Sequence, residues 1–111
     1  VERSVAEAVR LMIRHRLDFA WTPAIVAERL SMSEATLRRR LKGEGETLRG
    51  LLLQERMRAA RVILAERDAD VADAIAATGY TSRSHFARHF QEAFGVLPSA
   101  VRGSRRDRPD A

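Results

Sequence analysis

Apolar residues recur along this chain at three- and four-residue intervals, and no stretch alternates with the period of two that a strand needs. Val5, Val9, Met12 and Ile13 give a first helix one dry stripe over about residues 1–16. The stretch "WTPAIVAERL" opens a second helix, with Thr22 fitting the N-cap and Pro23 the first helical position, where a missing N–H costs nothing. Trp21 and Val26 flank that start at the spacing of a hydrophobic staple. "SMS" breaks this helix, Ser33 caps a third that runs to about Lys42, and "KGEG" ends it. A longer helix follows from about Thr47 to Glu66. Leu48, Leu51, Leu52, Ala59, Ala60, Ile63 and Leu64 are expected on its dry face, with Arg49, Glu55, Arg58 and Arg61 on the wet one. Asp70 caps a short helix, "VADAIAATG", which Gly79 turns off. "SRSHFARHFQEAF" is the sixth helix, closed by Gly95, and Pro98 opens a last turn, "PSAVR". The pattern predicts an all-α fold of about seven helices.

Sliding the sequence by about 49 positions aligns two of these helices. Ser33 falls on Ser82, Leu37 on Phe86, Arg39 on Arg88 and Leu41 on Phe90. Each copy has a serine cap, two apolar residues four apart and an arginine between them, and each follows a short helix across a tight turn. That is the pattern of a helix-turn-helix, whose second helix is slim enough to enter the DNA major groove while the first braces against the backbone. Opposite the buried pair lie Glu34, Ala35, Arg38, Arg39 and Lys42 in the first copy, and Arg83, Ser84, Ala87 and Arg88 in the second. The helix between the copies is about twenty residues, roughly 30 Å at 1.5 Å per residue. Successive major-groove segments on one face of B-DNA are about 34 Å apart. The expected organisation is a first helix-turn-helix subdomain over 1–46, a linker helix over 47–66, a second subdomain over 67–102 and a mobile tail over 103–111.

Charge sharpens this picture. The four cations Arg38, Arg39, Arg40 and Lys42 fall within five positions, and the whole chain carries a formal charge of +5 with a pI near 11.1, which suits a polyanionic partner. Arg40 points about 100° from Arg39 and suits phosphate or acidic neighbours better than bases. With no cysteine, disulfide frameworks, thiolate zinc sites and cysteine nucleophiles are excluded. No apolar run approaches the roughly 20 residues that span a bilayer, nothing resembles a signal peptide, and a cytoplasmic location is expected. Opening on Val1 rather than methionine, the chain is expected to be a piece of a longer protein.

Other chemistry finds little support. His85, His89 and Glu92 share one helix face at i, i+4 and i+7, but they read as polar residues flanking a core stripe, beside Arg88, and no metal is expected. There is no nucleophile elbow, no phosphate-cradling glycine loop and no paired carboxylates, so neither an enzyme nor a cofactor is expected. Trp21 reads as staple and core, and Arg56 as a structural charge on the linker helix. Two other classes stay open on the residues alone: a basic helical module for an acidic protein partner, and a nonspecific architectural DNA binder.

The stretch "GYTSRSHFARHFQEAFGVLPSAVR" resembles the C-terminal DNA-binding domain of AraC/XylS-type transcription regulators. Gly79, Tyr80, Ser82, Ser84, Phe86, Arg88, Phe90, Gly95, Pro98 and Arg102 fall on that family's pattern, and "LSMSEATLRRRLKGEGETL" resembles its first half. The resemblance implies two homeodomain-like helix-turn-helix subdomains in a bacterial regulator. It also implies a double-stranded operator as partner, RNA polymerase as a further one, and a separate N-terminal effector or dimerisation domain. Carried over by position, base reading falls on Ala35, Arg38 and Arg39 and on Arg83, Ser84 and Arg88, with Thr36 and His85 nearer the backbone. Lys42 joins them on the exposed face. The fifth helix departs from the pattern, with Ala74 then Ile75 where the family places a larger apolar residue followed by alanine, and Val101 stands where an aromatic is usual.

Overall fold

A computed structural model of the chain describes residues 4–66 and 69–101. Its helices are α1 (Val5–His15), α2 (Pro23–Arg29), α3 (Glu34–Gly43), α4 (Leu48–Glu66), α5 (Val71–Ala77) and α6 (Arg83–Phe94). A last helical turn covers 98–101, and no strand occurs among the described residues. The expected tail at 103–111 and the family-pattern residue Arg102 lie outside them.

Capping follows the sequence closely. Thr22 accepts the Ile25 N–H at 3.2 Å, Ser33 that of Thr36 at 3.1 Å, and Ser82 that of His85 at 3.2 Å. Asp70 and Asp73 form a reciprocal capping box at 2.8 and 3.0 Å. Ser4, which carries no obvious signal in sequence, caps α1 through the Glu7 N–H.

The chain divides within α4 into two compact units, Val1–Glu55 and Arg56–Ala111. In the first, α3 packs against both α1 and α2. Val9, Ile13, Val26, Leu37, Leu41 and Leu51 form its core, with Trp21 beside them. The Trp21 indole N–H donates to the Arg16 carbonyl at 2.8 Å, so its polar edge is satisfied as its rings are buried. In the second unit α5 packs against α6, and Met57, Ala60, Leu64, Ala74, Phe86 and Phe90 are buried. At the family departure on α5, Ala74 is the core residue and Ile75 is half-buried.

The two short helices end in the same way. After α2, Met32 N–H reaches the Ala27 carbonyl and Ser31 N–H the Glu28 carbonyl, both at 3.0 Å. After α5, Tyr80 N–H reaches Ile75 at 3.2 Å and Gly79 N–H reaches Ala76 at 3.4 Å. Both are Schellman motifs, which need a left-handed residue just past the helix. Gly79 supplies it at φ 78°, and Ser31 at φ 56°. One residue, Met32, separates Ser31 from the next cap, whereas Tyr80 and Thr81 separate Gly79 from Ser82. The recurrence in sequence is therefore a recurrence of turn geometry with one residue inserted. Ser31 carries a side chain where glycine has no steric cost, so Ser31→Gly should stabilise the first unit by about 0.5–1 kcal/mol. Urea titration followed by Trp21 fluorescence measures this, and an unchanged or lower midpoint contradicts it.

Helix α4 corrects one expectation. Glu55, assigned to the wet face, is only 4% exposed, and Met57 is buried at 1%. Ala59 and Ile63, assigned to the dry face, are half-buried. One helix here serves two cores, Leu51 and Glu55 in the first unit and Met57, Ala60 and Leu64 in the second, so no single stripe of period 3.6 describes it. Glu55 is tolerated in the core because two arginines of α1 meet it. Arg14 donates to both its oxygens, through Nε to Oε1 and through NH2 to Oε2 at 3.3 Å. Arg10 donates to Oε2 at 3.2 Å. Burial alone pushes this carboxyl up, but the hydrogen bonds and charges of Arg14 and Arg10 outweigh it and hold it below the usual carboxylate range.

Candidate nucleic-acid interface

Phase along α3 follows from its two buried leucines. Leu37 and Leu41, each 2% exposed, lie on one side, and this turns Ala35, Arg38, Arg39 and Lys42 to solvent. Thr36 is half-buried, and its hydroxyl accepts the Ser33 hydroxyl at 2.9 Å. In α6 the fully buried Phe86 and Phe90 play the leucines' part and leave Arg83, Ser84, His85 and Arg88 exposed. The Ser84 hydroxyl lies 3.2 Å from that of the cap, Ser82. The residues singled out as DNA-facing are thus on the surface of their own unit except Thr36, which is partly covered, as is Ala87 on the same face of α6.

Electrostatics divide the arginines of the first unit's α1 from the cations on the helix faces. Arg10 and Arg14 are spent on carboxylates, whereas Arg38, Arg39, Lys42, Arg83 and Arg88 have no ion-pair partner among the described residues. Such charges on a helix face suit phosphate oxygens and the acceptor edge of guanine.

The polar residues of α6 are engaged differently from a metal cluster. His89 Nδ1 shares a hydrogen bond with the Tyr80 hydroxyl at 2.8 Å, and the His85 ring lies nearly parallel to that of His89 with centroids 6.4 Å apart. Tyr80 also meets Phe86 edge-on, with centroids 5.4 Å apart. Burial raises the Tyr80 phenol above its ordinary range against the opposing charge of Arg56, so the hydroxyl stays protonated at neutral pH. Tyr80 thereby ties the turn before α6 to the helix itself.

Sequence reasoning passed over a second polar group, at the end of α3. Gly45 takes φ 76°, Glu46 N–H donates to Leu41 at 2.8 Å and Gly45 N–H to Lys42 at 2.9 Å, another Schellman ending. The flanking acids Glu44 and Glu46 both reach α1. The available signal was the pair Arg10 and Arg14, four apart on one line of α1, which needs anionic partners wherever that face is covered.

Comparison with known proteins agrees with this architecture. A helix-turn-helix domain family matches residues 26–104. The transcriptional activator AggR of Escherichia coli is 34% identical over 93 residues, which is 84% of this chain and 35% of that protein. The transcriptional activator NphR of a Rhodococcus species is 38% identical over 93 residues, 84% of this chain and 28% of its own length. The chain thus spans about a third of the curated relatives it matches. A DNA-binding transcriptional dual regulator from Escherichia coli K-12 shares the fold with a TM-score of 0.91 at 24% identity, covering 97% of both chains. The DNA-binding domain of AdpA, solved with a target DNA, has a TM-score of 0.84 at 26% identity and covers 99% of this chain and 100% of its own. With two matching helix-turn-helix units, the family pattern across the second of them and these relatives, the chain belongs to the AraC/XylS-type helix-turn-helix family.

Proposed function

We propose that this chain binds double-stranded DNA sequence-specifically as part of a bacterial transcription regulator, with α3 and α6 as its two recognition helices. The observation that carries this is the duplicated unit: a capped short helix, a Schellman turn, and a second helix that buries an apolar pair and presents free cations. In this reading Arg38, Arg39, Arg83, Ser84 and Arg88 address base edges and Ala35 gives the first helix a close, uncharged approach. Thr36, Lys42 and His85 address the backbone. A target DNA bound by the domain of AdpA supports the same partner here. The two helices are proposed to enter consecutive major-groove segments of one duplex, and the names of the relatives support a role in controlling transcription. A separate effector or dimerisation domain and contact with RNA polymerase belong to the same proposal.

Selection of bound duplexes from a random pool tests it. Two short motifs about one helical turn apart are expected, and a pool that returns no sequence preference overturns it in favour of an architectural binder. Arg39→Ala and Arg88→Ala should each weaken binding to the selected duplex by about 1–3 kcal/mol and relax base preference at one position. Affinity should also fall as salt rises, because neutralised phosphates release their counterions. A module for an acidic protein partner would bind no duplex selectively in the same assay.

A further inference from the structure

One ridge of α1 is held by acids at the exit of α3 and by the following helix. Its first contact is Glu44, the residue that ends α3. The backbone N–H of Glu44 donates to the Arg40 and Leu41 carbonyls at 3.2 and 3.0 Å, closing α3. Its carboxylate crosses to α1 and accepts the N–H groups of Val5 at 3.0 Å and Ala6 at 3.3 Å. One residue therefore caps the end of one helix with its backbone and the start of another with its side chain. The Ser4 hydroxyl adds a hydrogen bond, and together these contacts hold the exposed Glu44 carboxyl below its ordinary range despite the opposing effect of desolvation.

One turn along α1, Arg10 donates to Glu46 at 3.3 Å, to Gln54 at 2.9 Å and to Glu55 at 3.2 Å. One turn further, Arg14 meets Glu55. Ala6, Arg10 and Arg14 are spaced four apart, so a single line of α1 meets every acid of the group. Between Glu44 and Glu46 sits only Gly45, the left-handed residue that fixes the direction in which the chain leaves α3.

We infer that Glu44, Glu46 and Arg10 are positioning residues for DNA reading, fixing the angle at which α3 presents Arg38, Arg39 and Lys42. This rests on the DNA-reading role proposed for α3. The two leucines of α3 set its rotation about its own axis, but a pair four apart is a short lever against tilt. Glu44 follows the last turn of α3 and lies two residues beyond Lys42. Contacts there, tied to the start of α1, resist tilt at the end farthest from the cap at Ser33. Preorganised side chains lose less on binding and discriminate better between bases than side chains on a loosely held helix.

The test uses this chain on a duplex taken from the selection, with affinities also measured for every single-base variant. Glu44→Ala, Glu46→Ala and Arg10→Met are compared with the parent after circular dichroism shows each folded. Because Glu44 is exposed, its replacement leaves the core intact. Each variant is expected to lose roughly tenfold in discrimination at the base positions that Arg39→Ala also relaxes, and nothing at those relaxed by Arg88→Ala. Combined with Arg39→Ala, each should add little further loss there, because the side chain being aimed is gone. Full discrimination in the folded variants overturns the inference, as does a loss spread over both sets of positions. Uniformly tighter binding to every duplex also overturns it, since that is what removing a negative charge near phosphate would do by itself. If Arg39→Ala relaxes no position, the DNA-reading role of α3 fails first and takes the inference with it, an outcome distinct from the others.

Discussion

Phe86→Ala should unfold the second unit while leaving the first standing. Phe86 is fully buried, meets Tyr80 edge-on at 5.4 Å and Phe90 at 6.0 Å, and is one of the two buried side chains by which α6 holds its place. Deleting a buried phenyl ring costs about 3–5 kcal/mol, the lost transfer free energy plus the cavity left behind. A unit of this size has only on the order of 5 kcal/mol to lose. Its remaining buried residues include Ala60 and Ala74, which are too small to refill the space. The single tryptophan, Trp21, lies in the first unit and so gives a clean readout. Far-UV circular dichroism should lose the signal of α5 and α6 in buffer, while Trp21 keeps native emission and a cooperative transition in urea. Selected DNA should then be bound through one motif only. A Phe86→Ala chain with full helicity and both motifs intact would contradict this packing account.

What the sequence reveals here is mostly what local physics decides. Thr22 with Pro23, Ser33, Asp70 and Ser82 announce helix starts because each satisfies N–H groups two or three residues ahead, and that needs no distant partner. Gly79 and Gly95 announce ends because their left-handed backbone suits no other residue as well. The outward phase of Arg38, Arg39 and Arg88 is legible for the same reason, since the neighbouring Leu37, Leu41, Phe86 and Phe90 dictate which side is buried. Two features escape this kind of reading. Ser31 adopts φ 56°, a conformation that serine does not advertise. Glu55 is buried because Arg10 and Arg14 fold onto it from more than forty positions away, and nothing in the periodicity of α4 records that. The exposed face of the candidate site was therefore readable, and the polar group that braces it was not.

Replacing that buried carboxylate should cost the first unit much of its stability. Glu55→Ala removes the acceptor for three guanidinium contacts, leaving Arg10 with Glu46 and Gln54 and Arg14 without its carboxylate. Breaking a fully buried ion pair costs about 3–5 kcal/mol. Arg10 and Arg14 keep 27% and 47% of their side chains exposed, so water can take over part of their solvation, and about 2–3 kcal/mol is the expected loss. Glu55→Gln, which keeps the shape and one acceptor oxygen, should cost less than the alanine variant. The same pair makes the unit acid-sensitive in a defined direction. The folded carboxyl lies below its unfolded value, so its stabilisation is complete above the unfolded pKa of about 4.3 and is lost as pH falls through the lower folded one. The lowered Glu44 carboxyl acts in the same direction. Urea midpoints read from Trp21 should therefore fall as the solution is taken from pH 6 to about pH 3. In Glu55→Gln the fall should be shallower, since its largest buried contributor no longer titrates. If wild type and Glu55→Gln lose stability in parallel across that range, the Arg10–Glu55–Arg14 contact does not hold α1 in place as described.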